Sequence, residues 1–391
     1  MHFMNTFIKV VKRMSIEERQ SAMYDLRRKN RNRIFRLIYE KQQISRQEIS
    51  NTLSLSLPTV NQNLKELSAE GLIEFTGTFS STGGRRPTII ELASKSFISI
   101  GAEISISMIR FVAVDLLGER IGATRIMRRF NDSPTYFEAF AANLETFLNQ
   151  NGIPRHCITG VGISLPGIIS SDSKTLETAP TLGVTHFPLS RFSDAVPYPC
   201  LFDNDASAGG FAEQFSKADL RTMAYLSIEK GVGGAVFIDG KPYDGLNRRS
   251  AEFGHICVRP RDGKPCSCGN TGCLEAHCSI DRLTTDFGIP LEEFFTRLQK
   301  GEQPYTDCFQ EYLSDLAVGI ANIHMILDCD IVIGGQLTPF LEPYLPQLSA
   351  MIAKHSLPQF KNSYLSLSHL RTLTSCTGAA LRWVQRMLEE S

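Results

Sequence analysis

A cysteine-rich loop between His255 and Glu275 places the strongest constraint on what this chain can fold into. Cys266, Cys268 and Cys273 fall within eight residues, and ten residues separate His255 from the first of them. The glycines of the loop allow the tight turns that a tetrahedral zinc knuckle requires. The spacing therefore predicts one bound zinc ion. The alternative is a surface loop of reduced thiols. It is disfavoured because free cysteines are normally scattered in apolar segments, whereas these three are clustered in a glycine-containing loop.

Length and composition predict a soluble protein of two or three domains. The chain has 391 residues, of which 42% are hydrophobic, enough for sizeable cores. Its amino-terminal apolar patch, Phe7 to Val11, is interrupted by Lys9 and followed by Lys12 and Arg13, which is not typical of a signal peptide. No apolar run approaches the length that spans a membrane. We therefore expect a cytoplasmic protein without a membrane partner.

The net charge of zero conceals a difference between the two ends of the chain. Residues 1 to 95 contain 16 Lys and Arg against 9 Asp and Glu, and the remainder contains 25 against 32. The amino-terminal quarter is thus basic and the body acidic. This distribution is expected when one domain approaches a polyanion and the other does not.

The basic quarter carries the pattern of a helix-turn-helix. A first helical repeat follows Asn30, a capping box at Ser45–Glu48 opens a second helix, and Ser56 is placed to cap a third. Val60, Leu64 and Leu67 form the core-facing stripe of that third helix. The side chains predicted to face outward, towards base edges and phosphates, are Thr59, Asn61, Gln62 and Lys65.

Two strands after the third helix predict a wing. The runs 71–75 and 87–92 are strand-like, and a Gly/Ser/Thr-rich tip joins them. Arg85 and Arg86 lie at the far end of this tip, where they could enter a minor groove or bind phosphate. The pattern favours double-stranded DNA as the partner. A winged helix used for protein contacts or dimerisation is the alternative.

Beyond Lys95 the pattern changes to an α/β layout. Apolar runs predict three strands in a meander, a helix over 135–150 and a buried strand over 158–165. A later short strand, Cys200–Phe202, leads into Asn204 and Asp205. Such a pair can hydrogen-bond ligand hydroxyls, and a carboxylate there could act as a base. Taken alone, however, these two residues are better explained as a cap of the next helix.

Several motifs together resemble the ROK family of repressors, open reading frames and kinases, specifically its xylose- and N-acetylglucosamine-type repressors. They are the winged helix, Asn204-Asp205-Ala206, Glu252-Phe253-Gly254-His255, Cys266-x-Cys268-Gly269-x-x-Gly272-Cys273-x-Glu275 and Ile333-Gly334-Gly335. The resemblance covers nearly the whole chain from about Asn30. It implies a two-lobed, actin-like ATPase-type fold after the winged helix, with a sugar cleft between the lobes.

The resemblance also assigns roles to individual residues. It implies that zinc is held by His255, Cys266, Cys268 and Cys273, and that sugar is contacted by Asn204, Asp205, Glu252, His255 and Glu275. Asp205 matches the general-base position of the kinase members, which makes a capping role less favoured for it. His255 would bind zinc through one ring nitrogen and a sugar hydroxyl through the other.

Two altered loops distinguish this chain from the kinases of the family. Those kinases resemble one another in an Asp-x-Gly-Gly-Thr turn whose backbone amides approach the nucleotide phosphates. Here the equivalent stretch is Glu103–Ser107, and Glu229–Gly231 replaces a second turn, usually Gly-Thr-Gly. We expect Ile104 and Ile106 to obstruct the phosphates and Glu103 to repel them. The sequence therefore predicts sugar binding without phosphoryl transfer.

These patterns predict a domain plan. It consists of an arm (1–29), a winged helix-turn-helix (30–94), a first lobe (95–200) on which a terminal helix (376–391) packs, and a second lobe (201–375). The second lobe is expected to contain the zinc loop, the sugar site and an oligomerisation surface.

The expected function is that of a sugar-responsive regulator, most simply a repressor. A homodimer or homotetramer would bind a DNA operator and respond to a sugar or sugar phosphate in the cleft. Three alternatives stay open: a working sugar kinase, a regulator controlled by a protein partner, and a scaffold with a vestigial cleft.

Overall fold

The computed structural model describes residues 16–80, 86–217, 219–247, 249–357 and 364–390. The chain divides into two compact units. The first comprises residues up to Ile98, the short segment Asp115–Glu119 and the chain from Trp383 onward, and the second comprises the rest. In the described part of the chain, no helix combines the length and the apolar character that crossing a lipid bilayer requires.

The first unit has the element order of a winged helix. Its elements are α1 (Ile16–Lys41), α2 (Arg46–Leu53), α3 (Leu57–Ala69), β1 (Ile73–Thr78) and β2 (Thr88–Leu92). The two strands pair antiparallel. The apolar stripes predicted from helical periodicity are buried, including Ile34, Ile38, Val60, Leu64 and Leu67. This burial fixes which face of α3 remains free.

Serine caps begin the second and third helices as the sequence predicts. The Ser45 hydroxyl accepts the Glu48 amide at 3.2 Å, and the Ser56 hydroxyl accepts the Thr59 amide at 3.3 Å. The amino-terminal segment, which the sequence leaves open as a frayed helix or an arm, is helical in its described part, because α1 is continuous from Ile16 and crosses the expected boundary at residue 30. The helix tolerates its mixed, largely polar amino-terminal sequence because few of those residues are poor helix formers.

The second unit contains two five-stranded sheets. The first has the order β10-β6-β3-β4-β5. Its strands are β3 (Ile98–Ile104), β4 (Met108–Val114), β5 (Arg120–Met127), β6 (Ile158–Leu165) and β10 (Cys200–Asn204). Strands β3, β4 and β5 form the predicted antiparallel meander. Helix α4 (Pro134–Gln150) packs its predicted aromatic face on this sheet, where Phe140 lies 5.5 Å from Phe111 between ring centroids.

The second sheet has the order β13-β12-β11-β14-β15. Its strands are β11 (Met223–Ile228), β12 (Val232–Ile238), β13 (Lys241–Pro242), β14 (Asp330–Gly334) and β15 (Leu365–Leu367). The remaining helices are α5 (Ser190–Ser193), α6 (Asp205–Ser216), α7 (Leu274–Cys278), α8 (Leu291–Gln299), α9 (Tyr305–Leu327), α10 (Thr338–Leu341), α11 (Leu345–Ala353) and α12 (Thr374–Glu390). Leu316 and Ile320 of α9 are fully buried in the same core as Ile331 and Ile333 of β14.

Two features of the first lobe differ from the expectation. A small antiparallel sheet of β7 (Ile168–Ile169), β8 (Thr175–Ala179) and β9 (Val184–Pro188) was not predicted. The predicted lobe boundary at residue 201 is also wrong. Strand β10 pairs in parallel with β6 from Cys200 to Asn204, so the first sheet extends to Asn204.

Helix α12 belongs to both units. Its first half packs on the first sheet so closely that a Cβ on Gly101 would lie 1.8 Å from the Cys376 carbonyl oxygen. Residues from Trp383 belong to the first unit, whereas the sequence assigned the whole helix to the first lobe. The physical reason lies in α1, where Asn32 donates to the Glu389 carbonyl at 2.9 Å and Arg36 to the Leu388 carbonyl at 3.1 Å.

Candidate metal centre and ligand site

The four residues of the predicted metal site come together in the second unit. One ligand atom from each of His255, Cys266, Cys268 and Cys273 lies within 4.8 Å of the others. The His255 Nδ1 and Cys266 Sγ atoms are 3.7 Å apart, and so are the Cys268 and Cys273 Sγ atoms. Zinc–sulfur bonds of about 2.3 Å in a tetrahedron would separate the sulfurs by roughly 3.8 Å. The cluster therefore has the dimensions of a four-coordinate metal site.

The glycines of the loop are required by its backbone. Gly269 and Gly272 have φ values of +90° and +76°, a region that other residues rarely adopt. A Cβ on Gly272 would also lie 1.9 Å from the Arg259 carbonyl oxygen. Isolated bridges between Cys257 and Cys273 and between Pro265 and Thr271 close the loop. This geometry brings the three cysteines to one point.

The thiols differ in how readily they ionise. The pKa of Cys268 is lowered to about 7, mainly because the Asn270 backbone N–H hydrogen-bonds to it. Burial raises the pKa of Cys266, and it raises that of Cys273 to about 12. A cation is therefore needed to hold all three as thiolates. Three thiolates and one imidazole form a donor set that suits zinc.

A buried ion network supports the metal loop and was not predicted. His277 Nε2 accepts the Lys264 amide at 3.1 Å, which places its proton on Nδ1. That nitrogen lies 3.2 Å from Asp315 Oδ2, and Arg259 Nε donates to Asp315 Oδ1 at 2.7 Å. Burial lowers the pKa of His277, in keeping with a neutral ring. A histidine between Ala276 and the buried Cys278 in helix α7 was the available sequence signal for this network.

The Asn204-Asp205 pair lies where β10 ends and α6 begins. The Asn204 side chain caps α6, because its Oδ1 accepts the Ala206 and Ser207 amides at 2.9 and 3.1 Å. Its Nδ2 donates to the Gly167 carbonyl at 2.8 Å. Asp205 Oδ1 also accepts the Ala206 amide. Burial raises the pKa of Asp205 to about 6.

The other expected sugar contacts surround the stretch Gly231–Gly234. Glu275 Oε2 accepts the Val232 amide at 3.0 Å, and Glu275 Oε1 accepts the Ser267 hydroxyl at 3.1 Å. A Cβ on Gly233 would lie 3.0 Å from the Ala206 Cβ, and one on Gly234 would lie 2.3 Å from the Phe253 ring. The stretch therefore contacts the Asn204-Asp205 turn, the turn carrying Glu252 and His255, and the helix carrying Glu275. Both Glu252 and His255 are exposed.

The altered phosphate loop contains an ion pair that the sequence analysis missed. Glu103 on β3 is paired with Arg110 on β4, and both side chains are largely buried. The expected repulsion by Glu103 is therefore wrong, since Arg110 offsets its charge. Ile104 is buried and so is not free to obstruct a ligand, whereas Ile106 is half-buried. An arginine inside the otherwise apolar strand Met108–Val114 was the available signal.

Helix α3 exposes most of the predicted DNA-facing side chains. Asn61, Gln62 and Lys65 are exposed, while Thr59 is half-buried and its hydroxyl lies 2.8 Å from that of Ser56. Gln62 Nε2 donates to Glu66 at 2.7 Å, a bond that pairing with a base edge would replace. Arg86 is exposed two residues before the second wing strand, and Arg85 lies outside the described residues.

Comparison with known proteins adds family relationships to this geometry. A model described as ROK family matches residues 100–386, and a winged helix-turn-helix DNA-binding model matches residues 27–74. The putative xylose repressor of Caldicellulosiruptor sp. (strain Rt8B.4) is 26% identical over 385 residues, which cover 92% of this chain and 96% of the relative.

Two solved structures share the fold. A ROK family transcriptional regulator, described as a homolog of the E. coli MLC protein, has a TM-score of 0.75 and 23% identity. The match covers 93% of this chain and 97% of that regulator. A ROK hexokinase from Thermus thermophilus has a TM-score of 0.62 and 22% identity. The match covers 75% of this chain and 100% of the hexokinase. The hexokinase therefore shares the fold over only part of the chain.

Proposed function

Because the chain belongs to the ROK family, we propose that it is a sugar-responsive, DNA-binding regulator that represses genes of carbohydrate uptake or catabolism. One observation carries the proposal. A winged helix with a free polar face on α3 is present in the same chain as a cluster of polar side chains around Gly231–Gly234. A regulator needs both a reader of DNA and a receptor for a signal.

The reader is helix α3 in the major groove of an operator. Asn61 and Gln62 can pair with base edges, and Lys65 can neutralise a phosphate. Thr59 at the first turn and Arg85 and Arg86 at the wing complete the proposed contact set. A homodimer or homotetramer would place two such helices in successive major grooves of a pseudo-palindrome. The protein would act in the cytoplasm, where the operator is accessible.

The receptor is a site for a sugar or sugar phosphate. Asp205, Glu252 and Glu275 supply carboxylates, which pair well with sugar hydroxyls. Asn204 retains one amide N–H beyond the bond to Gly167. His255 directs Nδ1 towards Cys266, which leaves Nε2 for a ligand hydroxyl. The relative described as a putative xylose repressor makes pentoses the first compounds to test. N-acetylated amino sugars come next, because another relative, 24% identical, is described as an N-acetylglucosamine repressor.

The metal would be a structural zinc ion. His255, Cys266, Cys268 and Cys273 would fill all four positions, so the site offers no open position for metal-assisted hydrolysis. Zinc, when bound, would hold the three thiolates together against their mutual repulsion. The loop would in turn hold His255 and Glu275 in place for the effector.

Sugar phosphorylation is the less favoured function. The nucleotide phosphate position lacks the glycine turn of the kinases, and the Glu103–Arg110 ion pair lies on the strands beside it. A regulator controlled by a protein partner would require no small effector. Sugar binding measured by calorimetry would therefore favour the sugar-responsive regulator over that alternative. Transfer of the γ-phosphoryl group of ATP to a sugar hydroxyl by the purified protein, with release of ADP, would contradict the regulator proposal.

Operator binding by the full-length protein is the decisive test. Fluorescence anisotropy with DNA from upstream of its own gene should show binding at moderate salt, and an active sugar should release it. Lys65→Ala should weaken binding about equally for all sequences and reduce the salt slope by about one. Lys95→Ala, which removes an exposed lysine of the same unit outside α3, is the control. Failure of the wild-type protein to bind that DNA would overturn the proposal.

A further inference from the structure

One buried carboxylate connects helix α9 to both sides of the metal loop, residues 255–273. Asp315 of α9 accepts the Arg259 Nε–H on its Oδ1 at 2.7 Å, and its Oδ2 lies 3.2 Å from His277 Nδ1. Arg259 lies before Cys266, the first of the three cysteines, and His277 lies after Cys273, the last. The two oxygens of one side chain therefore fix both sides of the loop to one point of α9.

His277 extends this connection into the backbone of the loop. Its Nε2 accepts the Lys264 amide at 3.1 Å, and the Lys264 carbonyl accepts the Gly272 amide at 2.9 Å. Lys264 lies two residues before Cys266, and Gly272 directly precedes Cys273. These hydrogen bonds use no atom that would bind the metal. They therefore fix the backbone beside two of the cysteines independently of a metal ion.

The short helix that follows the loop, α7, also packs tightly on α9. The Tyr312 hydroxyl donates to the Cys278 carbonyl at 2.5 Å. A Cβ on Gly319 would lie 2.8 Å from Leu274 Cδ1, so the two helices are in close contact there. Helix α7 carries Glu275, one of the proposed sugar contacts. The metal loop and this contact therefore share α9 as their support.

Polar groups are not needed merely to join α7 to α9. Apolar side chains of similar volume often hold two elements together equally well. Hydrogen bonds add direction, because they weaken steeply when donor and acceptor are misaligned. His277 must present an acceptor to Lys264 and a donor to Asp315, which only one tautomer of the neutral ring allows. The network therefore specifies one orientation of the loop.

We propose that Asp315 and His277 are positioning residues, which hold the metal loop in its metal-binding arrangement before a metal ion binds. A loop that is already ordered loses little conformational entropy on binding, so it binds the ion more tightly than a flexible loop does. The order of the metal-free loop does not depend on which ion binds. The consequence for zinc affinity rests on the proposed function.

Hydrogen exchange of the full-length protein, after a chelator has removed bound metal, tests the order of the loop. The Lys264 and Gly272 amides should be protected in the wild type. In Asp315→Asn they should exchange about tenfold faster, the factor expected from loss of one buried hydrogen bond. Asparagine keeps an oxygen for Arg259 but cannot also accept the His277 Nδ1–H. His277→Phe keeps a ring and removes both hydrogen bonds, so it should have a similar effect.

Zinc affinity, measured by competition with a chromophoric chelator, tests the consequence for the metal. It should fall about tenfold or more in either variant, as is typical when a group that orients metal ligands is removed. The double variant, Asp315→Asn with His277→Phe, should lose little more than each single variant, because both substitutions break the same connection. Losses that add fully would contradict the proposal that Asp315 acts through His277.

Two controls separate positioning from a general loss of stability. Asp307→Asn removes an exposed carboxylate in the first turn of α9. Ile352→Ala removes a buried side chain of α11 and lowers the stability of the core. Both variants should keep the wild-type exchange of the loop amides and the wild-type zinc affinity. If Ile352→Ala loosens the loop as much as Asp315→Asn does, the positioning role is wrong.

The two measurements distinguish failure of this proposal from failure of the proposed metal. If the wild type binds no zinc, but its loop amides are protected and lose protection in Asp315→Asn, the positioning role is supported and the proposed zinc is wrong. If the wild type binds zinc, but the Lys264 and Gly272 amides of the metal-free protein exchange as in an unfolded chain, the loop becomes ordered only on binding. The positioning role is then wrong and the proposed zinc is upheld.

Discussion

From the sequence, the pair Asn204 and Asp205 could be either a helix cap or a ligand contact, and the structure assigns the cap mainly to Asn204. Asn204 caps α6 with its amide oxygen, while Asp205 adds a carboxylate in the first helical turn. Burial raises the pKa of that carboxyl to about 6. The residue pair therefore caps the helix through one side chain and holds a desolvated carboxylate, the proposed sugar contact, in the other. Binding residues often reduce stability in this way.

Asp205→Asn should stabilise the protein in the absence of effector while abolishing the response to it. The ordinary pKa of 3.8 is raised to about 6 in the folded state, which corresponds to about 3 kcal/mol in the free energy of unfolding. The folded protein binds this proton more tightly than the unfolded chain does. The stabilisation from Asp205 is therefore complete below about pH 4 and lost as the pH rises through about 6.

Urea unfolding at several pH values measures this difference. The variant and the wild type should be similarly stable near pH 4, and the variant should gain its advantage by pH 7. Asp194→Asn, at an exposed carboxylate, is the control and should show no such pH-dependent gain. A constant difference between Asp205→Asn and wild type from pH 4 to 7 would mean that the carboxylate is not desolvated.

At the scale of elements, the stretch Gly231–Gly234 acquires a different meaning. The resemblance to the ROK kinases implies that its glycines, which begin at the end of the altered turn Glu229–Gly231, are what remains of a phosphate loop. In the structure Gly234 is required by packing, since a Cβ there would lie 2.3 Å from the Phe253 ring, while a Cβ on Gly231 or Gly233 would crowd the Glu275 carboxylate or Ala206. The glycines therefore serve the arrangement of the proposed sugar contacts. Glycine identity alone does not distinguish close approach of a ligand from close approach of a neighbouring element.

The metal loop should be essential to effector binding. Cys268→Ser should reduce bound zinc from one ion per chain to nearly none, because a hydroxyl is a much poorer zinc ligand than a thiolate. Effector affinity should fall at least tenfold, since the loop carries His255 and contacts Glu275 through Ser267. Elemental analysis and calorimetry measure the two effects.

Cys257→Ser is the matched control for the metal loop. Cys257 is exposed and pairs with Cys273 through a backbone bridge, but it is outside the four-residue cluster. Its serine variant should keep both zinc and effector affinity. Equal zinc loss in both variants would indicate that the loop fails through its fold and would contradict the assignment of Cys268 as a ligand.

Elements with a strong local period could be predicted from the sequence, and those formed by distant pairing could not. The apolar stripe of α3 and the meander β3-β4-β5 carry their own periodicity. Strands β7, β8 and β9 have two to five residues and no clear alternation. The Glu103–Arg110 pair depends on strand register, which a single sequence does not fix. The cysteine cluster was predictable because its ligands are close in sequence.

At the scale of the molecule, the two large sheets repeat one topology. The first reads β5-β4-β3-β6-β10 and the second β13-β12-β11-β14-β15. Each sheet consists of an antiparallel three-stranded meander and two later strands. In the first sheet the later strands β6 and β10 pair in parallel with each other. In the second sheet β14 pairs in parallel with both β11 of the meander and β15. The proposed sugar contacts follow the end of β10 and surround the start of β12, so neither sheet carries them alone. A cleft assembled from two sheets can respond to a ligand by changing its closure.

Regulation by an effector requires a coupling free energy between effector binding and operator binding. This coupling is reciprocal, so each ligand changes the affinity for the other. If a sugar weakens operator affinity by a given factor, the operator must weaken sugar affinity by the same factor. A tenfold effect corresponds to about 1.4 kcal/mol of coupling. We therefore expect calorimetry to show tenfold weaker effector binding to the operator complex than to the free protein, for an effector that reduces operator affinity tenfold.

The measurement uses saturating operator DNA and, as the control, a duplex of equal length with a scrambled site at a concentration where it does not bind. The scrambled duplex should leave effector affinity unchanged, since only a bound operator contributes to the linkage. Effector affinity that is the same with and without bound operator would exclude coupling between the sugar site and DNA binding. By the same linkage the effector could then not change operator affinity by any route, competition at the winged helix included, and the proposed function would be wrong.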